Sequence, residues 1–549
     1  VIIIRGTHPE QLIYTEMAKL SKLSIDRMFD ALLRRGYFPQ ELPPPFQTTS
    51  FAQAVTSHIS SLSHPFICDP QGRSFVSQSE RFNLARAGTL RRILSIPNPV
   101  NYIQLAHVIS DNWQQLLAHA QQSKISMSKP IQTPGQKRAV QRFKDFGDLP
   151  EIRAINRVGC RYVLKADINA FYPSVYTHSI PWAIHTKMIA KTQRKYNQSL
   201  GNKIDTLIRN AQDQQTKGIP IGPDTSLIVA ESILATVDQE LQKQFPNCGF
   251  RYVDDYELCF WSFADAEAAL SMLQELLTHF ELQLNPNKTK IIELPCRVEP
   301  KWVSDLRVFE FRPGARSQHT DIIHFFDCAF ELWVHNPEEA VLKYALSRSK
   351  SITVPPENWS LYESFLLQCA VAEAGALPIV IDLIKKYSDD GYQLNKDLIR
   401  ETFTRIVELH APRGHGSEVA WVIWGSLILQ LPIDDQTATI IGTVSDSIVA
   451  LLALDARSKG LISTTINFQL WEQCMTRDEL CGSNWLLCYQ AYEHGWLSSK
   501  DGTDYIAQDP SFLFLRTHNV QFYDAQSSLR YSMPVERRPT SPLVYTGGY

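Results

Sequence analysis

Between Phe250 and Phe260 the chain reads Phe-Arg-Tyr-Val-Asp-Asp-Tyr-Glu-Leu-Cys-Phe, two adjacent acids set between short apolar runs. Side chains of a strand alternate between its faces, so neighbouring acids within one strand point apart, whereas a tight turn can offer both to the same side. The segment is therefore expected to be two short strands joined by a turn that carries Asp254 and Asp255. Upstream, Cys160-Arg-Tyr-Val-Leu-Lys-Ala-Asp reads as a strand ending on a third acid, Asp167. Acids converging from neighbouring strands suit Mg2+, which prefers oxygen ligands and keeps several waters, so one or two carboxylates per ion suffice. Two such ions about 3.5–4 Å apart are what phosphoryl transfer to a hydroxyl requires.

The rest of the chain can be sorted around that centre. Its 549 residues exceed what one core usually serves, so two or three domains are expected. We place boundaries at 1–165, 166–324 and 325–549. The first stretch has helical patterns at 9–36 and 101–122, separated by loops such as Leu42-Pro-Pro-Pro-Phe46. Its later part is basic: ten Lys and Arg against three acids between Lys124 and Lys165, a candidate phosphate-binding surface. Between about 158 and 312 the order is strand, helix (Ser226–Phe245), two strands, helix (Ala264–Leu282) and a returning strand. That order fits an antiparallel sheet backed by two helices, so the fold class is α+β. From 325 onward the pattern is helical (361–374, 376–387, 395–410, 417–430, 436–454, 484–494), which suggests a HEAT-like or irregular helical-repeat domain.

Composition narrows the setting. A net charge of −3 gives no global reason for a nucleic-acid partner, so any such partner must be held by local basic surface. The ten cysteines show no zinc-like spacing. Cys474, Cys481 and Cys488 recur every seven residues and read as buried thiols near one helix face. The apolar run Val1–Ile4 is too short for a signal-peptide core or a membrane span, so a cytoplasmic setting without a membrane partner is expected.

Four motifs now stand in order. Asp167-Ile-Asn-Ala-Phe-Tyr172 is followed by Gly218-Ile-Pro-Ile-Gly-Pro-Asp-Thr-Ser226, then Tyr252-Val-Asp-Asp255, then Leu284-Asn-Pro-Asn-Lys-Thr-Lys290. Together they resemble the palm of reverse transcriptases, a right-hand polymerase fold with fingers and palm. The resemblance implies that Asp167 and Asp254 bind two Mg2+ ions, with Asp255 assisting and Mn2+ able to substitute. It implies that Tyr172 is a steric gate favouring dNTPs, and that Lys288 neutralises or protonates the pyrophosphate leaving group. Arg153, Arg157 and Arg161 become candidates for gripping the triphosphate, Ile168 and Gly222 for lining the nucleotide site, and Arg91 and Arg92 for a second contacting element. Where many reverse transcriptases carry Gln in the middle motif, this chain has Ile221, which removes a contact to the nucleotide sugar.

More narrowly, the chain resembles the bacterial abortive-infection and defence-associated reverse transcriptases. The resemblance rests on Arg35-Gly-Tyr-Phe-Pro-Gln-Glu-Leu-Pro-Pro-Pro-Phe46, on the Tyr-Val-Asp-Asp-Tyr-Glu-Leu context, and on a helical second half containing His410-Ala-Pro-Arg-Gly-His-Gly-Ser-Glu-Val-Ala-Trp421. It implies antiphage defence in the bacterial cytoplasm and template-independent, protein-primed synthesis with the DNA product covalently attached. It also implies a homo-oligomer, trimer or hexamer. Two alternatives stay open: an RNA-templated enzyme using a partner non-coding RNA, and a non-catalytic scaffold with a relic palm. His410 and His415, flanking Arg413, are read as a packed turn between helices, or as a surface gripping product DNA or a neighbouring subunit, ahead of a second active site.

Overall fold

The computed structural model describes residues 27–531, apart from 60–61, 63–65, 67–74, 89 and 133–136. The Val1–Ile4 run and the first part of the 9–36 pattern lie outside the described residues; from Arg27 to Arg35 that pattern is helical. Strands β1 (Glu80–Ala85) and β2 (Arg91–Ile96) form an antiparallel pair, and β3 (Pro130–Ile131) and β4 (Gln141–Arg142) a minimal one. Strands β5 (Tyr162–Asp167), β6 (Gly249–Tyr252), β7 (Asp255–Phe260) and β8 (Lys290–Glu293) make one antiparallel sheet in the order β6-β7-β5-β8.

Alternation assigns this sheet two unlike faces. Leu164 and Ala166 of β5 lie opposite Leu258 and Tyr256 of β7. All four are buried, and Tyr256 donates its hydroxyl to Asp238 at 3.0 Å, so this face looks toward the helix Asp224–Gln244. The helix Phe263–His279 packs on β5 and β7 and against that first helix. On the other face lie the pairs Val163 with Cys259, Lys165 with Glu257 and Asp167 with Asp255. Burying one face under helices is what forces the acids to the opposite one.

Two expected boundaries fall inside elements. The one at 165/166 cuts β5, and the one at 324/325 cuts the helix Ala315–His335. The N-terminal and C-terminal stretches also share a single core. Phe522 packs on Tyr37, Phe38 and Phe51, Trp485 donates its indole N–H to the Ile96 carbonyl, and Phe46 bridges to Tyr523.

From 301 to 531 the described residues form helices and turns. The helix Gly416–Leu429 is buried along its whole length, because helices Leu377–Asp389, Lys396–His410 and Ser447–Ser458 and strand β1 all pack on it. A helix apolar on every side is one with neighbours on every side. The pattern at 436–454 resolves into two helices, Asp435–Ile441 and Ser447–Ser458, the second capped by Asp446, whose carboxylate accepts from the N–H groups of Ile448 and Val449. Cys474, Cys481 and Cys488 do not share a helix face: only Cys488 is helical and buried, the other two sitting in turns and half-buried. Among the described residues no helix is long and apolar enough to cross a membrane.

Candidate active site

Asp167 and Asp255 face each other across β5 and β7. The N–H of Ile168 donates to the carbonyl of Asp254 at 3.2 Å, which makes Asp167 and Asp255 a non-hydrogen-bonded pair. Such pairs bring Cα atoms to about 4.5 Å and side chains closer than the alternate register does. Two carboxylates held this way repel each other unless a cation intervenes.

Asp254 completes the group from the turn. β6 and β7 are joined by Val253 and Asp254 alone, and Val253 takes a left-handed φ of 55°, a rare state for a β-branched residue. The strain is held by neighbours: the Val253 N–H donates to Ser128 Oγ (2.8 Å) and its carbonyl accepts from Arg251 Nη1 (2.7 Å). Arg251 is itself fully buried and bonded to both Glu231 and Asp238, while Ser126 and Ser128 donate to Glu231. Burial raises the Glu231 carboxyl, but Arg251 and the two serines outweigh it and hold the group ionised below its ordinary pKa. None of these five residues stands out in the sequence. The only available signal is a lone Arg beside an apolar strand, and the serine that holds the turn lies 125 residues before it.

Burial pushes the Asp254 carboxyl up to about 7, with Asp255 and Asp167 adding their fields and Lys288 opposing. Its Oδ1 is buried without a hydrogen-bond partner. An orphaned carboxylate oxygen beside two further acids, all hard oxygen donors, fits a divalent cation. Lys288 donates to Asp167 Oδ2 at 3.0 Å, from an amine that stays largely exposed. Burial lowers the Lys288 pKa, but the bond to Asp167 and the fields of all three acids leave it raised.

Tyr172 lies beside this group. Burial raises its hydroxyl pKa far above the ordinary phenol value; Arg142 and Arg92 pull against that, and Asp254 and Glu231 add to it. Arg92, on β2, is lowered to about 10, chiefly by burial and by Arg86, with Glu41, Asp254 and Tyr172 opposing. Arg142 stacks over Tyr252 at 5.5 Å from the ring centre. Arg92 is thus the guanidinium that feels the field of Asp254, while Arg142 reaches Tyr172 and Tyr252, and the sequence motifs do not single out Arg142.

The arginines expected to grip a triphosphate are placed otherwise. Arg153 Nε donates to Glu257 at 2.6 Å, Arg157 donates to the same carboxylate at 3.3 Å, and both also bond carbonyls of residues 296–298. Arg161 pairs with Glu293. The buried Glu257 demands compensation, and these side chains supply it. Arg91 forms a two-pronged bond to Glu418 in the helical half, at 2.5 and 2.7 Å. Ile168 is fully buried and its N–H donates to the Asp254 carbonyl, so it ties the turn to β5. Gly222 is a packing position: at φ 128° a Cβ would meet Pro39 at 2.6 Å, and its carbonyl accepts from Arg138. Arg138 also holds Asp224 and the Phe38 carbonyl, so much of the basic stretch is spent inside the protein.

The family model of reverse transcriptases (RNA-dependent DNA polymerases) matches residues 87–319. Among solved structures, the chain is similar to telomerase from Candida albicans in complex with a TWJ fragment of telomeric RNA. That likeness is 9% in identity over 76% of this chain and 68% of the other, with a TM-score of 0.26, too low to carry a structural argument. Among curated proteins none matches. The matched span contains β2 with Arg92, the palm sheet, the carboxylate turn and Lys288, and so this chain carries a reverse transcriptase domain.

Proposed function

We propose that the protein is an antiphage-defence DNA polymerase that adds dNTPs by two-metal phosphoryl transfer, without a template and from a primer on the protein itself. The observation that carries the polymerase part is the Asp167–Asp255 cross-strand pair, with the unpartnered Asp254 oxygen beside it. Asp167, Asp254 and Asp255 would hold two Mg2+ ions, for which Mn2+ can substitute. Bound there, they supply the positive charge that activates a hydroxyl nucleophile and steadies pyrophosphate as it leaves.

The remaining roles belong to the chain. Lys288 carries its proton firmly and sits at the mouth of the group, suited to donate toward the leaving pyrophosphate. Tyr172 walls the site where the reverse-transcriptase motif puts its sugar-sensing aromatic, favouring dNTPs. Arg92 and Arg142 take the triphosphate-facing role expected of Arg153, Arg157 and Arg161. Ile221, at the middle motif, offers no polar contact to a sugar, and this supports untemplated over ordinary templated synthesis. The defence role, the oligomer of three or six copies, the cytoplasmic bacterial setting and the helical-repeat reading of 325–549 rest on the resemblance of the motifs. The match to RNA-dependent DNA polymerases favours a second reading, in which a partner non-coding RNA is copied.

The test is to incubate purified protein with Mg2+ and each labelled dNTP, with no primer or template, beside an Asp254→Ala/Asp255→Ala control. Labelled product that protease treatment shifts, in the wild type alone, supports protein priming. Product formed only with added or co-purified RNA selects the second reading. No product under any condition leaves a scaffold with a relic palm.

A further inference from the structure

The loop between helices Lys396–His410 and Gly416–Leu429 grips the β1–β2 pair. Asn83 donates to the Gly414 carbonyl at 2.9 Å, the Ala85 N–H donates to Ser417 Oγ at 2.9 Å, and Arg91 clasps Glu418. In the middle of this junction three donor atoms converge. His410 Nδ1 lies 2.9 Å from His415 Nδ1, and Glu418 Oε1 lies 3.3 Å from the first and 3.7 Å from the second. Only 1% of the Glu418 side chain is exposed, against 15% and 23% for the two imidazoles, so the group is walled by protein and open on the histidine side.

Those separations are chemically informative. Zinc takes His nitrogen and carboxylate oxygen at about 2.0–2.2 Å in a tetrahedron, whose edges are then roughly 3.3–3.5 Å. The three separations here average to about that edge, and a point about 2 Å from all three atoms lies just off their plane. Without a cation, two Nδ1 atoms at 2.9 Å can share only one proton, and a carboxylate oxygen points at the same place. Glu418 Oε2 is meanwhile held by Arg91 and by Ser417 Oγ at 2.6 Å, the outer bonds that orient a ligating carboxylate.

We infer that His410, His415 and Glu418 bind one borderline divalent cation, of the Zn2+ class, through His410 Nδ1, His415 Nδ1 and Glu418 Oε1, with the fourth position open. Binding exchanges the Arg91 Nη1 bond to Oε1 for the metal and leaves Arg91 on Oε2. The ion ties the helical half to the strand pair that also carries Arg92. The inference stands independently of the polymerase reading, since it uses none of the palm acids.

The experiment uses full-length protein without a polyhistidine tag, stripped with chelator and titrated with Co2+. Wild type should bind one equivalent more than His415→Asn or Glu418→Gln, and Asp254→Asn one equivalent more than the double variant Asp254→Asn/His415→Asn. Wild type should show the visible absorption of tetrahedral Co2+, and Zn2+ should quench that band by displacement. Equal stoichiometry in wild type and His415→Asn, or no tetrahedral band in wild type, overturns the assignment. As a check on stability, Zn2+ should raise the melting temperature of stripped wild type more than that of stripped His415→Asn; equal rises count against the site.

Discussion

The palm sheet holds two groups of acids, one on each face, and they are treated in opposite ways. On the helix side, Glu231 and Asp238 are fully compensated: Arg251 bonds both, Ser126 and Ser128 donate to the first, and Ser123 and Tyr256 donate to the second. On the other face, Lys288 bonds Asp167 from a largely exposed side chain, and one oxygen of Asp254 has no partner. The first group is a structural clamp, in which every charge is answered within the fold. The second is left electrostatically unfinished, and a site poised to take cations and phosphate is where a protein keeps such an imbalance. The two are coupled through Val253, whose strained backbone is pinned by the clamp and aims Asp254 at the site.

The sharpest way to break this contrast is to neutralise one charged group on each side. Asp255→Asn should lower nucleotide incorporation by roughly a thousandfold or more while leaving the melting temperature near that of wild type, measured by primer-free labelling and thermal melting. Retained activity would place the chemistry elsewhere. Arg251→Met should do the reverse in kind. It strands two buried carboxylates and should cost about 3–5 kcal/mol in denaturant unfolding, with activity falling as the turn loosens. A loss below about 1 kcal/mol would show that the clamp is dispensable.

Lys288→Ala tests the lysine bonded to Asp167. Its turnover should fall about a hundredfold, and because the side chain is 60% exposed the fold should be little affected. The smallest effect concerns pH. Asp254 is raised to about 7, so the folded protein holds a proton there that the unfolded chain has lost. Its contribution to stability is therefore greatest below the ordinary value near 4 and is lost as pH rises through about 7. In metal-free protein, Asp254→Asn should then be stabilising at pH 8, on the order of 1–2 kcal/mol, and near neutral at pH 4. The same gain at both pH values would mean that Asp254 does not titrate in this window.

Much of the palm is legible in the amino-acid sequence alone. Alternation and the paired acids locate the turn, and the acid-ended strand locates Asp167. The four strands and the two helices that back them occur in the expected order, with four further α-helices between Phe171 and Asn210 that the pattern does not show. The β1–β2 pair is not legible, because Glu80–Ala85 and Arg91–Ile96 lack clean alternation and both faces are partly covered, one of them by a helix more than 300 residues away. The arginine assignments fail for a related reason. A run of basic residues looks like a free phosphate surface until Asp224, Glu257 and Glu293, all remote in sequence, are seen to neutralise it.

What the sequence determined by itself is the chemistry: which residue types recur at which spacing, and hence the strands, the turn and the three acids, since these depend on local periodicity. What only the tertiary structure decided is which charges are answered. Burial removes water as a partner, so a buried acid must find a cation or hydrogen-bond donors within the fold. The cations that answer Glu231, Asp238, Asp224 and Glu257 are set by packing between separate segments. Arg251 supports the turn, Arg153 answers Glu257, Arg92 rather than Arg91 feels the field of Asp254, and Glu418 meets two histidines.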